Sequence, residues 1–268
     1  MLTVHSIASG SEGNSLLVSA GGTHILVDAG ISARRITAAL SSLGLTPGDI
    51  AGVLVTHEHS DHTAGLATLT KQYRLPLYAS GGTAGALCAR IPHAADVLHL
   101  LPRQGVLTLG DAQVTVFPTS HDAAESIDFR FDCGGAALGV LTDTGCVTPE
   151  TEQALQGVDL LVLESNHDED WLLSGPYPYY LKQRILSEYG HLSNDAAAEF
   201  AIECVRAGTS DILLAHLSDE NNSPELAEYT VGRALQSSGL SVRLATAPRD
   251  TISEVHVCRR SPSFASEN

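Results

Sequence analysis

Apolar residues come in short bursts along this chain, and several bursts stop abruptly on one polar side chain. LTVHSIAS (2–9), SLLVSA (15–20) and HILVDAG (24–30) alternate or run apolar as strands do. SARRITAALSSLG (32–44) has helical spacing and stops at Gly44. GVLVTH (52–57) has the unbroken apolar run of a buried strand. TAGLATLTKQY (63–73) and TAGALCARI (83–91) predict helices on either side of a strand LPLYAS (75–80). Strand-rich stretches follow at 106–120 and 129–145. The remainder predicts a strand at 160–165, helices at 179–190 and 193–208, a strand at 211–218, a helix from Pro224 to Ser237 and a strand at 241–247. Sheet-rich stretches with interposed helices predict a layered α/β architecture. No linker or low-complexity run interrupts it, so one domain is expected over 1–258, with a flexible tail over 259–268.

The pattern echoes itself. HILVDAG and GVLTDTG both run apolar, then Asp, a small residue and Gly, while GVLVTH and DILLAH both end an apolar run on His. Polar groups at strand ends, carried by the loops that follow, would converge on one rim of the sheets.

That rim has metal chemistry. His57, His59, Asp61 and His62 fall within six positions directly after an apolar run. Three imidazoles and a carboxylate crowded together without a cation would bear burial and repulsion costs with no compensation. Zn²⁺ accepts both ligand types, as do Mn²⁺ and Fe²⁺. One ion needs three or four ligands, so the segment makes half a site for each of two ions. His121, Asp143 and His216, each at a predicted strand end, are the candidates for the rest. His5, His24, His93, His99 and His256 stand alone and stay unassigned, since a lone His is more often a surface or core-edge residue than a ligand.

Composition narrows the setting. A net charge of -16 disfavours a large footprint on nucleic-acid phosphates, although metal-binding carboxylates account for part of it. Five scattered cysteines without CxxC spacing argue against a disulfide framework, which makes a reducing cytoplasm the default. No apolar run approaches the ~18–20 residues of a membrane span, and MLTVHSIASGS does not read as a signal peptide.

HxHxDH after an apolar strand, preceded by VDAG and followed by a spaced His, Asp and His, resembles the metallo-β-lactamase superfamily. The resemblance implies a four-layer αββα sandwich of two similar halves with a dinuclear site at one edge. It places His57, His59 and His121 on one ion, Asp61, His62 and His216 on the other, and Asp143 between them, with Asp28 as a support. Two divalent ions, Zn²⁺ or Mn²⁺ with iron less favoured, would lie about 3.5–4 Å apart and provide a bridging hydroxide as nucleophile. Asp61 then counts among the catalytic residues as well as the ligands.

Fold alone does not choose the reaction. GHLSND (190–195) contains an N-cap, Ser193 or Asn194, for the helix that follows, and His191, which that cap does not need. His191 resembles the histidine of the GHST-type motif in RNase Z-like nucleases, and Glu164 matches the strand-end glutamate that pairs with it. Such a pair keeps imidazole protonated and suits a general acid. SGSEGNS, TDTG, ESNHD, GPYP, LKQRILSEYGHLSN and AHLSDENN together resemble the WalJ (YycJ) group of exonucleases of this fold. That resemblance implies a nucleic-acid substrate, double-stranded DNA attacked from its 5′ end. Within it, Ser11 and Asn14 lie in a glycine-flanked loop that reads equally as a phosphate cradle or a tight turn. YPYYLKQR sets Tyr177, Tyr179 and Tyr180 beside Lys182 and Arg184. It reads as a stacking and phosphate-tracking surface, or as a helix start with Pro178 near its first turn. His167 and Asp168 could reach the metals or the substrate. A hydrolase for a small thioester or lactone is the alternative. It needs the same metals but has no evident use for Glu164 and His191.

Overall fold

The computed structural model describes residues 1–259, so all of the expected tail but Arg259 lies outside the described residues. The first half builds one sheet. β1 (Leu2–Ala8), β2 (Ser15–Ala20) and β3 (Thr23–Val27) form an antiparallel meander. α1 (Ala33–Ser42) then crosses to β4 (Ile50–Leu54), which lies parallel to β3. α2 (Ser60–Thr63) and α3 (Leu66–Tyr73) lead to β5 (Leu77–Ser80), and α4 (Gly81–Arg90) to β6 (Leu98–Leu101), both parallel additions.

The second half repeats the plan. β7 (Gly105–Leu109), β8 (Ala112–Pro118), β9 (Ile127–Cys133) and β10 (Ala136–Leu141) are antiparallel. α5 (Pro149–Leu155) precedes β11 (Leu160–Glu164). α6 (Glu169–Ser174), α7 (Tyr179–Ile185) and α8 (Asn194–Arg206) precede β12 (Asp211–Ala215), and α9 (Pro224–Ser237) precedes β13 (Arg243–Thr246). β11, β12 and β13 extend the sheet in parallel. β14 (His256–Val257) returns to the first sheet against β1. The orders are β14-β1-β2-β3-β4-β5-β6 and β13-β12-β11-β10-β9-β8-β7.

Alternation along the strands explains the layering. Leu16, Val18, Ile25 and Val27 face Val114, Val116, Phe129 and Phe131 in a core between the two sheets. The intervening Leu17 and Leu26 face the other way, where they pack with Ile36 and Leu40 of α1 and Leu66 and Leu69 of α3. Likewise Leu213 joins the central core while Ile212 and Leu214 pack with Phe200 of α8 and Val231 of α9. A pleated strand buried on both faces must be apolar at nearly every position, as these are. Helix, sheet, sheet, helix is the expected αββα sandwich. Among the described residues no helix is long and apolar enough to cross a membrane.

The differences from the sequence reading are local. The sequence pattern does not predict α2, β6, α5, α6 or β14, and the helix expected over 179–190 stops at Ile185. Beyond it the chain folds back, so that the His191 N–H donates to the Ile185 carbonyl at 3.1 Å. Gly190 permits this, because a Cβ there would lie 2.1 Å from that same oxygen.

Candidate metal centre

The polar residues that ended the apolar bursts gather at the C-terminal ends of the strands. Asp28 follows β3, His57 follows β4, His121 follows β8, Asp143 follows β10, and His216 follows β12. Asp28, Asp143 and His216 all hold left-handed backbone, with φ of 60°, 52° and 55°. Non-glycine residues rarely adopt it, and each such case costs about 1–3 kcal/mol, so surrounding structure must enforce it.

Their nitrogen and oxygen atoms converge in two groups. His57, His59 and His121 form one, with His121 Nε2 3.3 Å from His59 Nδ1. Asp61, His62 and His216 form the other, with Asp61 Oδ2 3.3 Å from His62 Nε2 and 3.6 Å from His216 Nε2. Asp143 lies between them. Its Oδ2 is 3.2 Å from His62 Nε2, and its Oδ1 is 3.5 Å from His216 Nε2 and 3.7 Å from His121 Nε2.

Four of the five rings are fixed from behind. His62 Nδ1 bonds Asp28 Oδ2 at 2.8 Å, His216 Nδ1 bonds Glu164 Oε1 at 2.9 Å, and His121 Nδ1 donates to the Gly190 carbonyl at 3.1 Å. His57 Nδ1 shares a hydrogen bond with Thr56 Oγ1 at 3.0 Å. Asp28 also accepts from the Thr56 N–H and hydroxyl, the supporting role expected of it. Tying one imidazole nitrogen leaves the other to face an ion.

The residues fit divalent cations. His57 Nε2, His216 Nε2 and Asp143 Oδ2 are buried without a hydrogen bond, a cost that ligation removes. The charges agree. Burial opposes protonation of His216, yet Asp143, Asp61 and Glu164 outweigh it and push the ring up to about 10. Burial likewise opposes protonation of His62, but Asp143 and Asp28 raise it well above the ordinary histidine range. The carboxylates thus call for positive charge that dications can supply.

Neighbouring loops zip onto the cluster. The Asn14 N–H donates to the Asp61 carbonyl at 2.8 Å, Gly30 N–H to Asn14 O at 2.8 Å, and Ala29 N–H to His62 O at 2.9 Å. A Cβ on Gly30 would sit 1.5 Å from the Asp61 carbonyl oxygen and 2.6 Å from Asn14 N, both backbone atoms that cannot swing aside. Gly30→Ala is therefore expected to cost about 3 kcal/mol. It should also displace Asp61, measured as a lower urea midpoint together with reduced metal content.

His191 stands beside the ligands, partly exposed at 21%, with Nδ1 donating to Glu164 Oε1 at 2.8 Å. Glu164 is fully buried. Burial opposes its ionisation, but His191 and His216 outweigh that and hold it at about 2. The remaining sequence candidates separate. Ser11 is exposed in a turn, whereas Asn14 is buried, with Nδ2 3.1 Å from His62 Nε2. Lys182 Nζ donates to the Leu173 and Gly175 carbonyls, and Arg184 pairs with Asp122. Both cations are engaged by groups of the chain itself, Arg184 at the surface. Asp168 caps α6 by accepting from Trp171 N. His167 is buried, belongs to none of the ligand groups, and has neither ring nitrogen hydrogen-bonded. Ser9, whose Oγ accepts the His216 N–H at 2.8 Å, and Asn166, whose Nδ2 donates to the His216 carbonyl, hold that residue; they lie in SGSEGNS and ESNHD, but nothing in those stretches singles them out as supports.

The beta-lactamase superfamily domain matches residues 23–216, from just before Asp28 to His216. The chain belongs to the beta-lactamase superfamily. Within that superfamily it is similar to exodeoxyribonuclease YycJ of Bacillus anthracis, 40% identical over 248 residues, 91% of this chain and 93% of that one. It is similar to exodeoxyribonuclease WalJ of Streptococcus pneumoniae, 38% identical over 241 residues, 88% of this chain and 89% of that one. Among solved structures, the metallo-beta-lactamase fold protein YhfI of Bacillus subtilis superposes with a TM-score of 0.69 at 19% identity. That match covers 95% of this chain and all of the other, and it supports the fold.

Proposed function

We propose that this chain is a dinuclear metal-dependent phosphodiesterase, an exonuclease that degrades double-stranded DNA from its 5′ end in the cytoplasm. Residues 1–258 would act as one domain. The reading rests on one observation above others: a single carboxylate oxygen, Glu164 Oε1, accepts from both His216 and His191. It joins a candidate ligand to a candidate acid. Names and alignment lengths of the exodeoxyribonuclease relatives support the substrate.

In this reading His57, His59 and His121 hold one ion, Asp61, His62 and His216 the other, and Asp143 touches both. Zn²⁺ or Mn²⁺ suits these donors. Bound there, such ions supply Lewis acidity at a phosphodiester and offset charge growing on its oxygens. The protein's own groups do the rest. Asp61 is the more exposed cluster carboxylate, at 21% against 3% for Asp143, and so faces the side from which substrate enters. Glu164 commits Nδ1 of His191 and orients the ring, which leaves Nε2 to carry a proton to the departing oxygen.

The test is incubation of purified protein with end-labelled duplex DNA and, separately, RNA, with Mn²⁺ or Zn²⁺. Progressive shortening of the duplex from its 5′ ends, abolished by a chelator, is the expected result. Turnover of a simple thioester with no cleavage of DNA would overturn the reading.

A further inference from the structure

A cavity of about 700 Å³ opens beside the cluster on the side of His121, which lines it. Its size falls within the range of sites that enclose small molecules. Four segments distant in sequence build it: the link between β6 and β7, the loop 119–126 that carries His121, the start of α5 with Thr148 and Glu150, and Tyr189 in the turn before His191. His121 belongs both to this cavity and to the first ligand group, so one residue links an occupant here to the candidate metal centre.

The lining is chemically specific. Tyr189 is 60% exposed, and its backbone is pinned to the His121 loop. Its carbonyl accepts the Asp122 N–H at 3.1 Å, and the Glu188 carbonyl before it accepts Ser120 Oγ at 2.7 Å. The backbone that carries this aromatic ring is thereby fixed at the rim, and among the described residues the ring has no partner ring. Among the described residues Arg103 has no ion pair or hydrogen bond to its side chain, unlike Arg184 and Lys182. Two carboxylates also line the space. Glu125 is engaged by the Gly82 N–H at 2.8 Å, and Glu150 lies in the first turn of α5. With one cation against two anions, the lining does not suit a run of phosphates. It suits a flat, uncharged group rich in donors and acceptors, with one anionic neighbour for Arg103.

We infer that this cavity receives one nucleobase of the substrate strand, the base next to the phosphate being cut. The base stacks on Tyr189, and Arg103 supplies the single cationic contact. The inference rests on the nuclease reading and deepens it. Stacking also resolves a tension in the composition, since a chain of net charge -16 gains little from counterion release on phosphates, and every base offers a π face.

The experiment is calorimetric titration of the metal-loaded protein with deoxyadenosine 5′-monophosphate and with deoxyribose 5-phosphate, which lacks the base. Tyr189→Phe should bind the nucleotide like the parent protein, and Tyr189→Ala about tenfold more weakly. The base-less probe should not distinguish the three. Arg103→Ala should weaken the nucleotide. Equal nucleotide affinity in Tyr189→Ala and the parent protein would overturn the inference. So would equal loss of both probes, or no nucleotide binding by the parent protein. Tyr189-dependent nucleotide binding in a protein that cleaves no nucleic acid would uphold the cavity and remove the nuclease reading. DNA cleavage with Tyr189-independent nucleotide binding would do the reverse.

Discussion

Asp143→Ala should abolish metal binding and hydrolysis together. Asp143 is the carboxylate that reaches both ligand groups, with its two oxygens 3.2 Å from His62 Nε2, 3.5 Å from His216 Nε2 and 3.7 Å from His121 Nε2. Its removal takes a ligand from each ion at once and leaves a buried ring of imidazoles without its central negative charge. Loss of a residue that merely orients a ligand costs about 10–100-fold in affinity or activity. The loss here should exceed that and reach the background of chelated protein. Elemental analysis should fall from two ions per chain to less than one. The backbone control is Asp143→Asn, because Asn tolerates the left-handed conformation at φ 52° that alanine resists. If the Asn variant also loses metal while unfolding like the parent protein, the missing charge is responsible rather than strain. An Ala variant that keeps two ions and full turnover would remove the dinuclear assignment.

The candidate ligands stand out in the sequence because they are polar residues just beyond apolar runs or, for His59, Asp61 and His62, in the segment that one such run opens. A strand that ends on His57, Asp143 or His216 announces both its own end and the side chain delivered there. The sandwich was legible for a related reason. Strands such as Leu16–Val18 are apolar at every position because one face meets the other sheet and the next face meets helices. What stayed hidden depends on partners far away in the chain. β14 is two residues long and exists only because β1 offers an edge. Arg184 meets Asp122 across 62 positions, and the Asn14 side chain turns inward toward His62 across 48. Local composition marks Arg184 and Asn14 as polar and available, and only the fold shows Arg184 paired and Asn14 buried. The Tyr189 cavity is the extreme case, since no one segment of it carries a pattern.

His191→Ala should part the chemistry from the metals. Two ions should remain, while the rate on DNA falls by about 10²–10⁴-fold, the usual worth of a positioned acid. The rival role is ligation, since Asp143, Glu164, His191 and His216 also lie close enough to form a group. Metal content separates the two: a variant that loses one ion makes His191 a ligand. Glu164→Gln should behave differently from either, because Glu164 holds His216 Nδ1 as well as His191 Nδ1 and its loss reaches the cluster too. The sharper test uses the leaving group. In thymidine 5′-phosphate 4-nitrophenyl ester the departing nitrophenolate is stable as an anion and needs no proton. If Nε2 of His191 delivers a proton, the penalty for His191→Ala should shrink to a few-fold on this ester while it stays large on DNA. Equal penalties on both substrates would mean that the ring positions the phosphate, and the proton must then come from elsewhere.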